Sequence, residues 1–338
     1  MAATPRAMIL AAGLGTRLGD LSNLRPKPML PICGTPLCRW SVLWLRAQGI
    51  REIVINLHHR GEQIEAELGD GRELGVAIAY SREAPEILGT GGGVRRARDL
   101  LDDGRGTPIV VVNGKILVDL ELAPILERHR SRDAEATMVL RDDPEAERWG
   151  SLRLGADDEV VGFLGLARPG AAAGPPRMFT GIQILAPRFL DRIPAEGAPC
   201  IVRTAYRSLF DEGRGYYGHV TDAYWWEHSN LDRYLDGLRN VLDGRAALAH
   251  AERPLRGVDP SATIGEGAKI LGPVWIGRDV VVGAGAQIGP HVELGDGVQV
   301  DPGVCVRAAS AWPGARVSTS CERCVVVDRP PGADDAAT

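Results

Sequence analysis

Apolar and polar positions alternate along this chain in two different rhythms. From residue 7 to about 240, short β-branched apolar runs give way to segments whose apolar residues recur every three or four positions, the pattern of βα units that build a mostly parallel sheet. Met8-Ile9-Leu10, Ile53-Val54-Ile55 and Ile109-Val110-Val111-Val112 are the clearest strands. Residues 36–48 and 62–68 carry the helical spacing that covers such a sheet. Ligand loops are then expected at the carboxyl ends of the strands. Pro and Gly among alanines predict a flexible loop over residues 167–176.

From Val258 the rhythm changes. An aliphatic residue returns at every sixth position: Val258, Ile264, Ile270, Ile276, Val282, Ile288, Leu294, Val300 and Val306. Five of these, Ile264, Ile276, Val282, Ile288 and Leu294, are followed directly by Gly, and a second small or β-branched residue lies four places after each aliphatic, as at Ala262, Val280 and Val298. Such a period stacks short strands into a parallel β-helix of about three triangular coils, each aliphatic filling the interior and Gly or Asp easing tight corners. Its resemblance to known six-residue repeats implies a left-handed coil. Trp312-Pro313-Gly314 and Val325-Val326-Val327 read as a terminal strand sealing the stack. The chain is therefore expected to hold one domain over residues 1–250, the β-helix over 251–328 and a disordered tail over 329–338.

Composition narrows the function. At 338 residues the chain is long enough for two cores, and 44% hydrophobic with 25% charged residues is a globular balance. A net charge of -5 with no local run of Lys and Arg offers nucleic acid no basic field. No apolar run approaches the ~20 residues that span a bilayer, and the run over residues 7–12 leads into a Gly-rich loop where a signal peptide would have a cleavage site. A cytoplasmic protein with neither nucleic-acid nor membrane partners is expected. The six cysteines, Cys33, Cys38, Cys200, Cys305, Cys321 and Cys324, are scattered and expected as reduced thiols. Cys321-x-x-Cys324 has metal or redox spacing, but it lies in a Val-rich run with no second pair nearby and reads as structural.

The most informative stretch is Leu10-Ala11-Ala12-Gly13-Leu14-Gly15-Thr16-Arg17-Leu18, directly after the first strand, with Arg25-Pro26-Lys27-Pro28-Met29 close behind. Gly13 and Gly15 lack Cβ, so the backbone turns sharply and its N–H groups approach phosphate oxygens. Arg17 and Lys27 then neutralise a polyphosphate. These motifs resemble the nucleotidyltransferase family that joins a nucleoside triphosphate to a sugar 1-phosphate and releases pyrophosphate. Glu86-Ile87-Leu88-Gly89-Thr90-Gly91-Gly92-Gly93 resembles the family's base- and ribose-facing loop, and Phe179-Thr180-Gly181-Ile182 its sugar-pocket strand. With the six-residue repeat added, the chain looks most like mannose-1-phosphate guanylyltransferases and related NDP-sugar synthases.

The resemblance implies an α/β fold with a Rossmann-like, mostly parallel sheet followed by a left-handed parallel β-helix. It also implies in-line attack by a sugar-phosphate oxygen on the α-phosphorus, with Mg²⁺ as cofactor. Lys27 is implied at the α-phosphate and Arg17 at the β- and γ-phosphates. Leu10, Ala11, Ala12, Gly13, Gly15, Thr16, Gly89 and Thr90 are implied as nucleotide contacts, and Asn113, Gly114, Thr180 and Gly181 as sugar contacts. GDP-mannose is the product type suggested by the architecture.

Two positions depart from the family pattern. Asn113-Gly114-Lys115 stands where the family has Asn-Gly-Asp, and Trp225-Trp226-Glu227-His228-Ser229-Asn230 where it has Trp-x-Asp-Ile-Gly-Thr. Glu ligates magnesium; Lys does not. Either Lys115 is catalytic and replaces the metal charge, with Glu227 holding remaining Mg²⁺ beside phosphate oxygens, or turnover has been lost and a regulatory nucleotide-sugar-binding homologue remains. Arg168, where the family has Glu-Lys-Pro, reads as a solvated loop charge. Asp119 reads as a helix cap, and His58 and His59 as packing or surface residues. A hexapeptide acyltransferase is the third reading, with His291 its only internal base and no protruding loop to build its cleft. Self-association into a homo-oligomer is the expected role of the β-helix.

Overall fold

The runs that read as strands are buried on both faces: Ala7, Met8 and Ile9 are inaccessible, as are Ile109, Val110, Val111 and Val112, the mark of a parallel sheet covered by helices. In the computed structural model, which describes residues 4–149 and 151–328, one seven-stranded sheet organises the first part of the chain. Its strands are β1 (Arg6–Leu10), β2 (Glu52–Leu57), β3 (Ala77–Arg82), β4 (Ile109–Asn113), β5 (Ala136–Arg141), β6 (Met178–Leu185) and β7 (Tyr216–Val220). They lie in the order β7-β5-β6-β4-β1-β2-β3. Neighbours run parallel except at β6, which is antiparallel to both β4 and β5. The α/β, mostly parallel architecture read from the sequence is the one observed.

Helix α1 (Leu37–Ala47) buries Leu37, Trp40, Leu43 and Trp44 at helical spacing, and the Trp44 indole N–H donates to the Leu120 carbonyl at 2.9 Å. Phe163, Phe189, Tyr206, Phe210 and Tyr216 fill the far end of the sheet with ring centroids 4.7–5.7 Å apart, close enough for aromatic pairing to add to area burial. The register across the middle of the sheet positions the site: Leu10 at the end of β1 pairs with Asn56 of β2 and Asn113 of β4.

Asp119 and Arg168 depart from their expected roles, and His58 and His59 keep theirs. Asp119 ends the strand Ile116–Asp119, and the following helix, Ala123–Ser131, starts from Leu122, so Asp119 caps nothing. The buried Leu120 and Leu122 lie between, and the Leu122 N–H is taken by Gln48. Arg168 is not a solvated charge: it pairs with Glu159 at 2.8 Å with its side chain 16% exposed and stacks over Phe210. His58 and His59 serve packing, with rings bonded to the carbonyls of Glu83 and Ser22.

A second compact unit consists of Leu30–Pro36 together with the chain from Glu227 onward. Its strands between Gly257 and Val326 form three parallel sheets of five, four and four strands, more than four coils where the sequence suggested three. Partners lie 18 residues apart in the early coils, as in Ile276 with Leu294. The spacing falls to 17 for Leu294 with Ala311 and to 15 for Ala311 with Val326, which hides the last coil from a six-residue count. Ile276, Val282, Ile288, Leu294, Val300 and Val306 form the interior. Val258 and Ile264, expected inside, are 42% and 39% exposed because no coil precedes theirs. Cys321 and Cys324, expected as thiols, are joined in a disulfide in the last coil. The proposed tail, residues 329–338, lies outside the described residues.

Glu293, between the inward-facing Val292 and Leu294, points away from the coil interior yet is 1% exposed. The hairpin of Pro31–Ile32 and Thr35–Pro36 covers it. The Gly34 N–H donates to Glu293 Oε1 at 2.7 Å, Ser310 Oγ lies 3.2 Å from Oε2, and the Tyr234 hydroxyl donates to the Pro31 carbonyl at 2.7 Å. Replacing this carboxylate leaves the Gly34 N–H without its acceptor, a cost of about 1–3 kcal/mol. Denaturant unfolding of Glu293→Ala is expected to show a loss in that range.

Burial, with Arg188 and Arg130 nearby, pushes the His129 imidazole down to about 4, and its Nδ1 bonds Thr137 Oγ1 at 2.9 Å. The unfolded chain protonates this histidine near pH 6.5, so it binds more protons than the folded chain between pH 6.5 and 4. Stability is full above pH 6.5 and falls toward pH 4 by up to about 3 kcal/mol from this group. The slope of unfolding free energy against pH is expected to flatten in His129→Gln.

Candidate active site

At the carboxyl edge of the sheet, where the loops after β1, β2, β3 and β4 meet, lies a cavity of about 400 Å³. Its lining includes Leu10, Ala11, Ala12, Gly13, Gly15, Thr16, Arg17, Lys27, Gly89, Thr90, Asn113 and Lys115. The eight residues expected to contact a nucleotide and the three expected catalytic cations are thus gathered in one place.

The local folding is dictated by glycine. Gly15 has φ +72° and opens a single 3₁₀ turn, Thr16–Leu18, closed by the Leu18 N–H on the Gly15 carbonyl at 2.9 Å. A Cβ on Gly15 would sit 3.7 Å from the Lys27 Cβ, so the turn and the lysine are neighbours. Lys27 itself is 6% exposed. Gly89 has φ +68°, and a Cβ there would meet the Ala198 carbonyl at 2.8 Å. It opens the helix Gly89–Arg96, whose first turn is braced by Thr90 Oγ1 accepting from the Ile201 N–H. A helix N-terminus of this kind favours anions.

The charges that line the cavity are Arg17, Lys27, Lys115 and Glu83. Three cations against one carboxylate in a concave, partly desolvated site attract a polyanion, with about 4 kcal/mol per charge pair at 4 Å for an effective dielectric near 20.

Residues 6–243 match the nucleotidyl transferase family, and residues 273–308 match the bacterial transferase hexapeptide repeat. The chain belongs to the nucleotidyl transferase family. A mannose-1-phosphate guanylyltransferase of Mycobacterium tuberculosis is 31% identical over 83% of this chain and 77% of its own length. An N-acetylmuramate alpha-1-phosphate uridylyltransferase of Neisseria meningitidis is 40% identical over 53% of this chain and 78% of its own. In fold, the chain resembles HddC from Yersinia pseudotuberculosis complexed with GMP-PN, with a TM-score of 0.56 and 23% identity over 70% of this chain and 99% of that one. Among the described residues no helix is long and apolar enough to cross a membrane.

The expected sugar contacts of this nucleotidyltransferase divide. Asn113 lines the cavity. Gly181 acts through it: with φ +83°, any Cβ at Gly181 would fall on the Asn113 amide. Gly114 donates its N–H to the Leu10 carbonyl and so ties β4 to β1. Thr180 is 1% exposed, its hydroxyl donates to the Val139 carbonyl, and its own carbonyl accepts from the Trp225 indole. Glu227, expected as a magnesium ligand, ends the strand Tyr224–Glu227 and falls in the second compact unit.

The cavity's own residues do not fit a protein-held magnesium ion. Among the described residues Glu83 is the only carboxylate lining it, and its two oxygens already accept from Asn56 and from the Leu88 N–H. Among the described residues no group of three or more acidic, His or Cys side chains could hold a metal.

Leu14, Pro28, Asn56, Glu83 and Ile87 also line the cavity, and sequence reasoning does not single them out. Asn56 leaves a signal, since an amide closing the run Ile53-Val54-Ile55 at 3% exposure must be satisfied by something buried. Glu83 leaves none.

Gly181→Ala is expected to destabilise by about 1–3 kcal/mol through positive φ and, by displacing Asn113, to weaken sugar 1-phosphate binding at least tenfold in calorimetric titration. Gly104→Ala, also at positive φ but with nothing within 4 Å, is expected to show the backbone cost alone.

Proposed function

We propose that the protein transfers a nucleotidyl group from a nucleoside triphosphate to a sugar 1-phosphate, forming an NDP-sugar and pyrophosphate. The observation that carries this reading is the cavity in which Gly13, Gly15, Thr16, Arg17, Lys27 and Lys115 converge. GTP and mannose 1-phosphate are the proposed substrates. Relatives aligned over 83% and 92% of the chain are named a mannose-1-phosphate guanylyltransferase and a probable one, which supports that choice.

In this reading a sugar-phosphate oxygen attacks the α-phosphorus in line. The new P–O bond forms as the bond from the α-phosphorus to the bridging oxygen breaks, and that bond's electron pair leaves with pyrophosphate. Positioning and charge neutralisation supply most of the rate. Lys27, buried in the cavity wall, holds the α-phosphate where negative charge builds. Arg17, exposed beside the turn, holds the departing phosphates. The backbone N–H groups of the turn from Gly13 cradle them. Lys115 adds a fixed positive charge where a carboxylate would have recruited a cation. Mg²⁺ thus accompanies the triphosphate in this reading and is not seated on cavity carboxylates.

A pyrophosphate-release screen of four nucleoside triphosphates against a panel of sugar 1-phosphates, including N-acetylmuramate 1-phosphate, tests the proposal with and without magnesium. GTP with mannose 1-phosphate is expected to give the largest signal. Release with UTP and N-acetylmuramate 1-phosphate would move the substrate assignment. Silence across the panel with retained nucleotide binding would replace enzyme by regulatory binding protein.

Lys27→Ala and Arg17→Ala are each expected to lower kcat/KM by at least a hundredfold. Lys115→Asp is expected to weaken triphosphate binding at least tenfold in EDTA, and to recover part of it in millimolar magnesium.

A further inference from the structure

Two side chains in the cavity touch each other and leave the phosphate groups to others. Asn56 ends the buried run of β2, and Glu83 follows β3 by one residue. Each is 3% exposed. The Ala11 N–H donates to Asn56 Oδ1 at 2.7 Å, the Asn56 amide donates from Nδ2 to Glu83 Oε1 at 2.7 Å, and the Leu88 N–H donates to Glu83 Oε2 at 2.7 Å. Ala11 begins the Gly13-Gly15 turn, and Leu88 immediately precedes the helix Gly89–Arg96. One amide and one carboxylate therefore span the two loops assigned to the nucleotide. The helix packs tightly against the pair, since a Cβ on Gly93 would come within 2.5 Å of Glu83 Oε1 and 2.8 Å of Asn56 Nδ2.

We propose that Asn56 and Glu83 are positioning residues for nucleotide binding, a buried strut that sets the separation of the Ala11 and Leu88 loops without itself contacting the reacting atoms. The inference rests on the nucleotidyltransferase reading of the cavity. Its force comes from polarity. Asn56 must present oxygen to Ala11 and nitrogen to Glu83, and Glu83 must accept at both oxygens, so each of the three contacts pairs one donor with one acceptor. Buried groups tolerate no mismatch in such a sequence.

That polarity supplies the test. In Glu83→Gln, whichever way the two amides turn, one pair of donors faces across the strut. In Asn56→Asp, two carboxylate oxygens face each other. The double variant, Asn56→Asp with Glu83→Gln, remakes all three bonds with the charge moved to the other residue. Its new carboxylate at position 56 accepts from Ala11 and from the new side-chain amide at position 83, whose carbonyl accepts from Leu88. Each single variant is expected to raise the KM for GTP at least tenfold. The KM for mannose 1-phosphate should stay within threefold. The double variant should return the KM for GTP to within threefold of the parent.

A defect of folding alone would lower kcat through the active fraction and leave the KM for GTP unchanged, which would overturn the proposal. A well-folded double variant, with the parent's circular dichroism and thermal midpoint, that stayed as impaired as the singles would also overturn it, by making the carboxylate of Glu83 itself the ligand contact. Titration calorimetry with GTP and UTP reads the same pattern as Kd. A parent that releases no pyrophosphate therefore defeats the enzymatic reading while the strut is still judged by binding.

Discussion

Parallel strands held in one register align residues of the same depth, and in this sheet the row at the carboxyl edge reads Asn113, Leu10, Asn56. Every group in the cavity is placed relative to that row. The Gly13-Gly15 turn departs from Leu10, Lys115 follows Asn113 by two residues, and Glu83 meets Asn56 from the next loop. A slip of one residue between β1 and either neighbour would turn these side chains to the opposite face. The fully buried aliphatics behind the row, Ile9, Ile55 and Val112, make such a slip costly.

Within that frame the cavity shows a division of labour between charge and shape. The charged groups are few and mostly positive. Asn56 and Glu83 are spent on one another and on the backbone of the Ala11 and Leu88 loops. Lys115 is consistent with this division, since a cation carried on the chain needs no ligand cage, whereas among the described residues no group of three or more acidic, His or Cys side chains could cage a dication.

Much of this is legible in the residues, for physical reasons. The turn after the first strand declares itself through two glycines and a following cation, and the β-helix through its constant six-residue period. Contacts that join residues far apart in the chain leave no such trace. Glu83 looks like any surface acid beside Arg82, and only the fold brings Asn56 and Leu88 to its oxygens. Arg168 reads as a loop charge because its partners, Glu159 and Phe210, are supplied by other elements. The final coil escapes a periodic count because its spacing contracts from 18 to 15 residues. Asp119 reads as a cap from residue type alone, while buried leucines delay the helix start.

The hairpin at Pro31–Pro36 gives the chain an unusual order of completion. It is made early by the ribosome, a few residues after Lys27, yet the carboxylate that receives its Gly34 N–H arrives 259 residues later. Until the coil containing Glu293 has been synthesised, the Gly34 N–H lacks the carboxylate that accepts from it. A polar bond that closes this early hairpin is thus supplied by a residue near the other end of the sequence, so a change in the coil at Glu293 is felt a few residues after Lys27.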